Sequence, residues 1–338
     1  MSRNGPSVTS LDVARLAGVS QSTVSLVLSG KGSGRASTEV QERVRRAAAQ
    51  LRYRPHPSAR ALRSGRTHAV GLFVPDVTNP FLGRVLRGAQ QVAREEGYTV
   101  ALVEPGDERD FQLSAMDALR DRGVDGLLLF SVRPPRPTDE QPGLPVVLIE
   151  AEQRGVPSVT LDVDAGAAAA MEHLLGLGHR AIAHLATDIP LRTFSTRGRR
   201  WRKALAEAGA EPDAALEARC AFTLGAAREA ARALLSAPTR PTAIFCDDDL
   251  LAAGARLAAA DLGIDVPGQL SLVGFAGTIL SEVTLPQLTT VSAPAEALGD
   301  GAMRKLLALI RGAAVQQRTV LPVSLTLRDS TAPPSARG

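Results

Sequence analysis

Apolar residues at helical spacing predict a short helix near the start of the chain. Thr9 and Asp12 stand in the T-x-x-D order of a capping box, so the helix should begin at Thr9. Gly18 should end it, because glycine adopts the left-handed conformation after a helix without a steric penalty from a Cβ atom. Four apolar residues should lie on or beside the buried face, namely Leu11, Val13, Ala14 and Ala17.

A second short helix is predicted over residues 21–28, with Ser20 as its N-cap. Its first residues are polar (Gln21, Ser22, Thr23 and Ser25), and its apolar side consists of Val24, Val27 and Leu28. Two short helices joined by a Gly-Val-Ser turn describe a helix-turn-helix, whose second helix enters the major groove of DNA. An ordinary helical hairpin in a core would show the same pattern.

A third helix is predicted over residues 38–52, with arginines on its exposed side (Arg43, Arg45, Arg46 and Arg52). Pro55 and Pro57 then stop the helix and stiffen an extended connector. The segment 58–65 that follows has room for only two helical turns. It should therefore become helical only when something packs against it.

From Thr67 onward, short apolar runs alternate with helix-length segments. The run 68–74 is continuously apolar, as expected of a strand that is buried on both faces. Repeated strand-helix units predict parallel sheets with helices on both faces, and their number exceeds one comfortable sheet. The sequence therefore predicts two similar α/β lobes behind a helical head, with the last strand over residues 319–327.

Charge divides the chain at the same place and decides between the two interpretations of the helical pair. Residues 1–66 carry eleven arginines and one lysine against three acids, a net charge of +9, whereas the remainder carries −5. A strongly basic segment beside a mildly acidic body is typical of a domain that binds phosphates. Together with the predicted helix-turn-helix, it makes double-stranded DNA the expected partner.

Composition narrows the class further. With 338 residues the chain should hold two or three domains, and its hydrophobic content of 44% is that of a soluble globular protein. It has no run of 18 apolar residues and no hydrophobic leader, so we expect no membrane association and a cytoplasmic location. Cys220 and Cys246 are too few for a disulfide framework and fit a reducing compartment.

Catalytic and metal-binding chemistry is poorly supported by the sequence. No phosphate loop or nucleophile elbow occurs, and the histidines stand in no supported Ser-His-Asp order. The run 247–249, three consecutive aspartates, could suggest a metal site, but capping of the following helix explains it better. We expect no enzymatic activity, no cofactor and no metal.

Residues 9–65 resemble the DNA-binding head and hinge of the LacI/GalR (lactose-repressor) family of bacterial transcription regulators. The matching segments are 12–14 (DVA), 17–20 (AGVS), 23–25 (TVS), 27–29 (VLS), 53–55 (YRP) and 59–62 (ARAL). So many matches in order are far more specific than one motif. By resemblance, Gln21, Ser22 and Leu26 contact bases, and Leu62, flanked by Arg60 and Arg63, wedges into the minor groove from a hinge helix.

Other DNA contacts implied by the resemblance come from Thr9, Ser20, Thr23, Ser25 and Tyr53. Leu26 departs from the family pattern, in which arginine is frequent. A leucine can touch a thymine methyl group but cannot donate to guanine, so the preferred operator should differ from that of arginine-bearing members.

The rest of the chain resembles the periplasmic-binding-protein-like core of the same family. Matching segments include 76–81 (DVTNPF), 123–126 (GVDG), 177–179 (LGH), 273–275 (VGF) and 288–291 (LTTV). The resemblance implies a head at 1–56, a hinge at 57–66 and an effector-binding and dimerisation core at 67–338. It places the N-terminal lobe at about 67–163 and 292–325, and the C-terminal lobe at about 164–291 and 326–338.

Ligands of open α/β sheets bind outside the carboxyl ends of strands, which points to the loops that follow Val74, Phe130, Leu161, Ala186, Cys246 and Phe275. The resemblance implies cleft residues at Phe81, Leu82, Thr193, Arg197, Asp248 and Ala276. Two of them depart from the family. Asp248 replaces a neutral amide, and Ala276 replaces an aspartate that often binds sugar hydroxyls. Both departures count against a sugar and favour a ligand with an amine or base-like donor, or no ligand at all. The effector is therefore expected among sugars, nucleosides and amine-bearing compounds, with the sugar the least favoured.

These observations predict a DNA-binding transcription repressor that acts as a homodimer on a near-palindromic operator and responds to a small molecule between its lobes. Two alternatives stay open at this point. A protein with the same head and a vestigial cleft would bind DNA without an effector. A solute-binding protein would share the lobes but have no use for a basic head.

Overall fold

The computed structural model describes residues 8–28, 35–53, 65–104, 106, 108–132, 143–210 and 213–335. The chain divides at residue 68 into a helical unit (the head) and an α/β unit (the body). Within the described residues the helices are α1 (Ser10–Ala17), α2 (Gln21–Leu28), α3 (Thr38–Gln50), α4 (Pro80–Glu95), α5 (Arg109–Asp121), α6 (Val163–Gly176), α7 (Arg192–Glu207), α8 (Leu224–Ser236), α9 (Asp249–Asp261), α10 (Leu280–Val283) and α11 (Ala295–Ile310). A short 3₁₀ turn spans Ala214–Leu216.

The strands are β1 (Ala69–Phe73), β2 (Thr99–Val103), β3 (Gly126–Phe130), β4 (Val146–Ile149), β5 (Ser158–Leu161), β6 (Ile182–Thr187), β7 (Glu217–Cys220), β8 (Ala243–Cys246), β9 (Ser271–Ala276), β10 (Thr289–Ser292), β11 (Arg318–Leu321) and β12 (Ser324–Thr326). No described helix is both long and apolar enough to span a lipid bilayer.

The head is a three-helix unit, and its first helix has the predicted ends. The Thr9 amide donates to the Asp12 carboxylate at 2.9 Å, the Asp12 amide donates to the Thr9 hydroxyl at 3.4 Å, and Gly18 adopts φ +62°. The Thr9 hydroxyl also donates to the Asp12 carboxylate, at 2.8 Å, and the two bonds that the carboxylate accepts from Thr9 lower the pKa of Asp12. The head core consists of small side chains: Val13, Ala14, Ala17, Val24, Val27, Val44, Ala47 and Ala48.

Two details of the helical prediction are wrong. Leu11 is 51% exposed. With 3.6 residues per turn it lies about 110° from the centre of the face formed by Val13, Ala14 and Ala17. The third helix ends at Gln50 rather than Arg52, because the backbone leaves helical geometry at Arg52, where φ is +52°.

The body contains two six-stranded sheets, as the alternating pattern predicts. The first has the strand order β11-β5-β4-β3-β1-β2, and all of its strands are parallel. The second has the order β12-β10-β9-β8-β6-β7, parallel except for β12, which pairs antiparallel to β10. We call the parts built on these sheets the first and second lobes. The apolar pattern does not predict the edge strand β7, because this strand is short and carries Glu217 and Arg219.

Helices α4 and α11 pack unusually closely in the first lobe. A Cβ atom added at Gly88 would overlap the carbonyl oxygen of Glu296, and one added at Gly299 would overlap that of Val85. The two glycines therefore let one helix backbone approach the other. Asn79 fixes the start of α4, since its side chain accepts a hydrogen bond from the Phe81 amide at 2.9 Å.

The chain crosses between the lobes after β5, after β10 and after β11. The last crossing falls earlier than predicted. Ser324 and Leu325 were expected in the N-terminal lobe but belong to β12 of the second sheet. Ser292, expected in the same lobe, belongs to β10 of the second sheet. The predicted single strand over 319–327 is in fact two strands in different sheets. Pro322 explains the break, because it has no N–H to continue a ladder.

Candidate functional site

A cavity of about 590 Å³ lies at the carboxyl ends of strands from both lobes. This is where small molecules bind in open α/β sheets. The residues that line it include all six expected from the sequence, namely Phe81, Leu82, Thr193, Arg197, Asp248 and Ala276. That they bind an effector stays a prediction.

Much of the cavity wall is aromatic. Phe81 of α4 meets Phe130, the last residue of β3, edge to face with ring centroids 6.3 Å apart. On the side of the second lobe, the ring centroids of Phe194 and Phe222 lie 6.2 Å apart. Phe275, the residue before the last of β9, also lines the cavity. Flat apolar faces of this kind pack well against the faces and edges of other rings. Of these five rings, only Phe81 was identified from the sequence.

Arg197 places a buried cation in this aromatic wall. It is 6% exposed, and its guanidinium carbon lies 3.7 Å from the centroid of the Phe275 ring. One terminal nitrogen donates to the carbonyl oxygen of Asp247, the other donates to the Thr193 hydroxyl at 3.1 Å, and Nε has no hydrogen-bond partner among the described residues. Burial lowers the pKa of Arg197, and nearby acids oppose that shift. Free donors are therefore available for an acceptor in the cavity.

Glu150 faces the cavity from the first lobe, and the sequence analysis missed it. Burial raises its pKa to about 7, although its carboxylate accepts a hydrogen bond from the Leu161 amide at 2.6 Å. It directly follows β4, whose loop was not among the expected ligand-binding loops. An acidic residue at the carboxyl end of a buried strand was the signal that could have found it.

Three of the turns that line the cavity hold non-glycine residues at positive φ. Ser131 follows β3 at +56°, Glu150 follows β4 at +54°, and Ala276 ends β9 at +108°. Such conformations are costly for side chains with a Cβ atom and concentrate at functional sites. The Ser131 hydroxyl, moreover, has no partner among the described residues. The strand ends are thus held in unusual shapes around the cavity.

The three consecutive aspartates point in three directions, and no group of ligands suited to a metal occurs among the described residues. Asp247 accepts from His184 Nε2 at 2.9 Å, and Asp249 accepts from the Thr278 amide at 2.6 Å. Asp248 is the N-cap of α9, accepts from the Leu250 amide at 2.9 Å and lines the cavity. Burial raises the pKa of Asp248, and the adjacent Asp249 raises it further.

The head presents a second candidate surface, formed by the start of α2. Gln21 and Ser22 are exposed, whereas Leu26 is half-buried. The Ser20 hydroxyl caps α2 by accepting from the Thr23 amide at 3.1 Å, and it lies within hydrogen-bond distance of the hydroxyls of Ser22 and Thr23.

The other head residues expected at DNA have mixed environments. The Thr9 hydroxyl is engaged in the cap of α1, Ser25 is half-buried, and Tyr53 packs against the head core. Arg60, Leu62 and Arg63 lie outside the described residues. The arginines of α3 expected on its exposed side, Arg43, Arg45 and Arg46, are exposed, as is Arg52 beyond the helix.

Comparison with known proteins adds to this geometry. Residues 9–56 match the family model "Bacterial regulatory proteins, lacI family", and residues 171–331 match that of a periplasmic binding protein-like domain. The chain is 33% identical over 333 residues to the HTH-type transcriptional regulator DegA of Bacillus subtilis, covering 95% of this chain and 97% of DegA. It is 34% identical over 324 residues to a ribose operon repressor of Halalkalibacterium halodurans, covering 95% of this chain and 96% of that repressor.

Two solved structures resemble this chain over nearly all of its length. A lac repressor dimer bound to operator and an anti-inducer superposes with a TM-score of 0.86 at 27% identity, covering 96% of this chain and 99% of that one. A complex of the transcriptional regulator CelR with cellobiose superposes with a TM-score of 0.71 at 29% identity, with the same coverage.

Proposed function

The chain belongs to the lacI family of bacterial regulatory proteins, and from that premise we propose that it represses transcription as a homodimer. In this proposal a small molecule in the cleft sets the affinity of the homodimer for DNA. The chain is a DNA-binding transcription regulator. We place it in the cytoplasm and assign it no catalytic activity. The observation that carries the proposal is the cavity with its buried Arg197, present in the same chain as a basic helix-turn-helix head.

In this proposal residues 1–56 bind a near-palindromic operator, 57–66 form the hinge and 67–338 bind the effector and dimerise. Gln21, Ser22 and Leu26 contact base edges at the start of α2. The remaining DNA contacts come from Thr9, Ser20, Thr23, Ser25, Tyr53, Arg60, Leu62 and Arg63. The operator-bound lac repressor dimer supports this arrangement, because its fold matches 96% of the length of the present chain.

We assign the effector to the class of uncharged rings that carry hydroxyl groups, such as a pentose or a glycoside. The aromatic wall suits a ring, and the free N–H groups of Arg197 suit hydroxyl or carbonyl acceptors. Relatives named for ribose and cellobiose point the same way. An amine-bearing effector stays the alternative, since Glu150 and Asp248 also line the cavity.

Exposed apolar side chains on the body supply a surface for the second copy. Ile279, Val283 and Leu285 are 56%, 62% and 78% exposed around α10, and Leu102 and Phe111 are exposed on the first lobe. Exposed apolar groups that cluster in one short segment, as the three around α10 do, favour association. Leu285→Lys should therefore raise the dimer dissociation constant, as measured by sedimentation equilibrium. Leu224→Lys, an exposed leucine at the start of α8, should leave it unchanged.

Ligand screening tests the proposal on the full-length chain. We expect a member of a panel of pentoses, hexoses, glycosides and nucleosides to raise the melting temperature, since a ligand at 100 times its Kd adds about 2.7 kcal/mol of stability. The same compound should change the affinity for a duplex selected from random sequences. A chain that binds duplex DNA but ignores the whole panel would favour the alternative with a vestigial cleft.

A further inference from the structure

The side chain of Gln21 is held by the first residue of the preceding helix. Its Nε2 atom donates to the hydroxyl oxygen of Ser10 at 2.8 Å. Gln21 opens α2 and Ser10 opens α1, so this bond joins the starts of the two helices. Gln21 is exposed and Ser10 is half-buried. The contact therefore lies at the surface of the head, outside its apolar core.

Both ends of this bond are attached to a well-defined backbone. The capping box of Thr9 and Asp12 fixes the first turn of α1 without using the Ser10 side chain. The Ser20 hydroxyl fixes the first turn of α2 by accepting from the Thr23 amide. Since Ser10 takes part in neither cap, its hydroxyl is free to act on Gln21. Its removal should leave both helix starts intact.

The chemistry of the amide allows this bond and base recognition at the same time. A glutamine side chain reads adenine through two bonds, in which its oxygen accepts from the N6 amino group and its nitrogen donates to N7. The nitrogen of Gln21 carries two hydrogens, and Ser10 uses only one. A flexible glutamine otherwise loses rotamer freedom when it binds a base, and an existing bond to Ser10 reduces that loss.

We propose that Ser10 is a positioning residue that holds Gln21 ready for adenine and so helps to determine operator sequence. The inference rests on the proposed function, in which Gln21 contacts a base. Ser10 acts through Gln21 and contacts no base itself. Its contribution should therefore appear at one base pair in each half-site, and only while Gln21 is present.

A double-mutant cycle on the full-length chain tests this role. Duplexes are first selected from a random pool with the unmodified chain. Dissociation constants are then measured for the unmodified chain, Ser10→Ala, Gln21→Ala and the double variant, on the selected duplex and on duplexes with single base-pair changes. We expect Gln21→Ala to abolish the preference at one A·T pair and Ser10→Ala to reduce it by about threefold to tenfold. In the Gln21→Ala background Ser10→Ala should have no further effect.

Ser10→Thr keeps a hydroxyl at this position and is the matched control, expected to preserve the preference. Thermal unfolding followed by circular dichroism shows whether each variant head stays folded. An equal loss of affinity for every duplex, or a loss that persists without Gln21, would overturn the inference, since Ser10 would then contact the DNA backbone itself. Unchanged preference in Ser10→Ala would also overturn it. The absence of binding to any duplex would instead refute the proposed function.

Discussion

In the head the candidate polar side chains lie mostly at the surface and bond mainly to other side chains, whereas in the cleft they are largely buried and bond mainly to the backbone. Ser20 bonds to Ser22 and Thr23, and Gln21 bonds to Ser10. In the cleft, by contrast, most partners are backbone atoms, although Arg197 also donates to the Thr193 hydroxyl. Arg197 donates to the carbonyl of Asp247, Glu150 accepts from the Leu161 amide, and Asp248 accepts from the Leu250 amide.

This difference matches the two tasks. A DNA-binding surface must keep its donors and acceptors available to base edges, so its side chains stay exposed and help to position one another. A closed cavity removes polar groups from water, so each of them needs a fixed partner or a shifted pKa. The head should therefore respond to mutation through sequence preference and the body through stability and pH.

The largest expected effect is on the stability of the body, and it should leave the structure of the head unchanged. Gly299→Ala should lower the free energy of unfolding of the body by about 3 kcal/mol or more, because the new Cβ overlaps the Val85 carbonyl oxygen. Unfolding is followed by the fluorescence of Trp201, the only tryptophan of the chain, which lies in the body. Gly301→Ala on the same helix is the control. Its Cβ would meet only Val159 at 3.9 Å, so it should stabilise by about 0.5–1 kcal/mol.

The next effect is on the pH dependence of the stability of the folded chain, and it should come from the cleft. The pKa of Glu150 is raised from 4.5 to about 7. As the pH rises from about 5 to 8 the unfolded chain loses this proton first, so Glu150 makes the folded state progressively less stable. Glu150→Gln should remove this loss and be more stable than the unmodified chain by up to about 3 kcal/mol at pH 8. The difference should vanish towards pH 4.5.

Urea unfolding at several pH values measures this difference. Glu152→Gln is the control, since it removes only exposed ion pairs, with Arg192 and Arg318, and should lower stability by about 1 kcal/mol or less. A constant gap between Glu150→Gln and the unmodified chain at every pH would contradict the assignment of the titration to Glu150.

A smaller effect is expected on effector affinity. Arg197→Met should weaken binding of the compound found in the screen by about tenfold to a hundredfold, because charged hydrogen bonds to the ligand are lost. Arg199→Met, an exposed arginine on the same helix, should leave the affinity unchanged. Isothermal titration calorimetry measures both. Equal losses in the two variants would show that the helix, rather than the guanidinium of Arg197, matters.

The smallest effect concerns closure of the two lobes. Arg84 of α4 in the first lobe donates to the carbonyl oxygen of Gly277 in the second, at 3.0 Å. Arg84→Met should lower effector affinity by about tenfold or less, since one charged hydrogen bond then no longer favours the closed cleft. Arg87→Met on the same helix, which removes an exposed ion pair with Glu296 within the first lobe, is the control and should bind as the unmodified chain does.

Sequence reasoning succeeded where the determining contacts are local. The caps at Thr9, Gly18 and Ser20 connect residues only a few positions apart, so their geometry follows from short motifs. The cleft was harder, because Arg197 and Asp247 lie 50 residues apart and the burial of Glu150 depends on how the lobes fold together. The break between β11 and β12 is different again, because Pro322 is a local signal for it that the prediction of one strand over 319–327 did not take into account.

The dependence of DNA binding on salt tests the central claim most directly. Dissociation constants of the full-length chain for a duplex selected from random sequences are measured between 50 and 200 mM salt. If the basic head binds phosphates, the logarithm of the affinity should fall linearly with the logarithm of the salt concentration, by about 10³-fold or more for six phosphate contacts. An affinity that does not change with salt, or no binding to any duplex, would contradict the account.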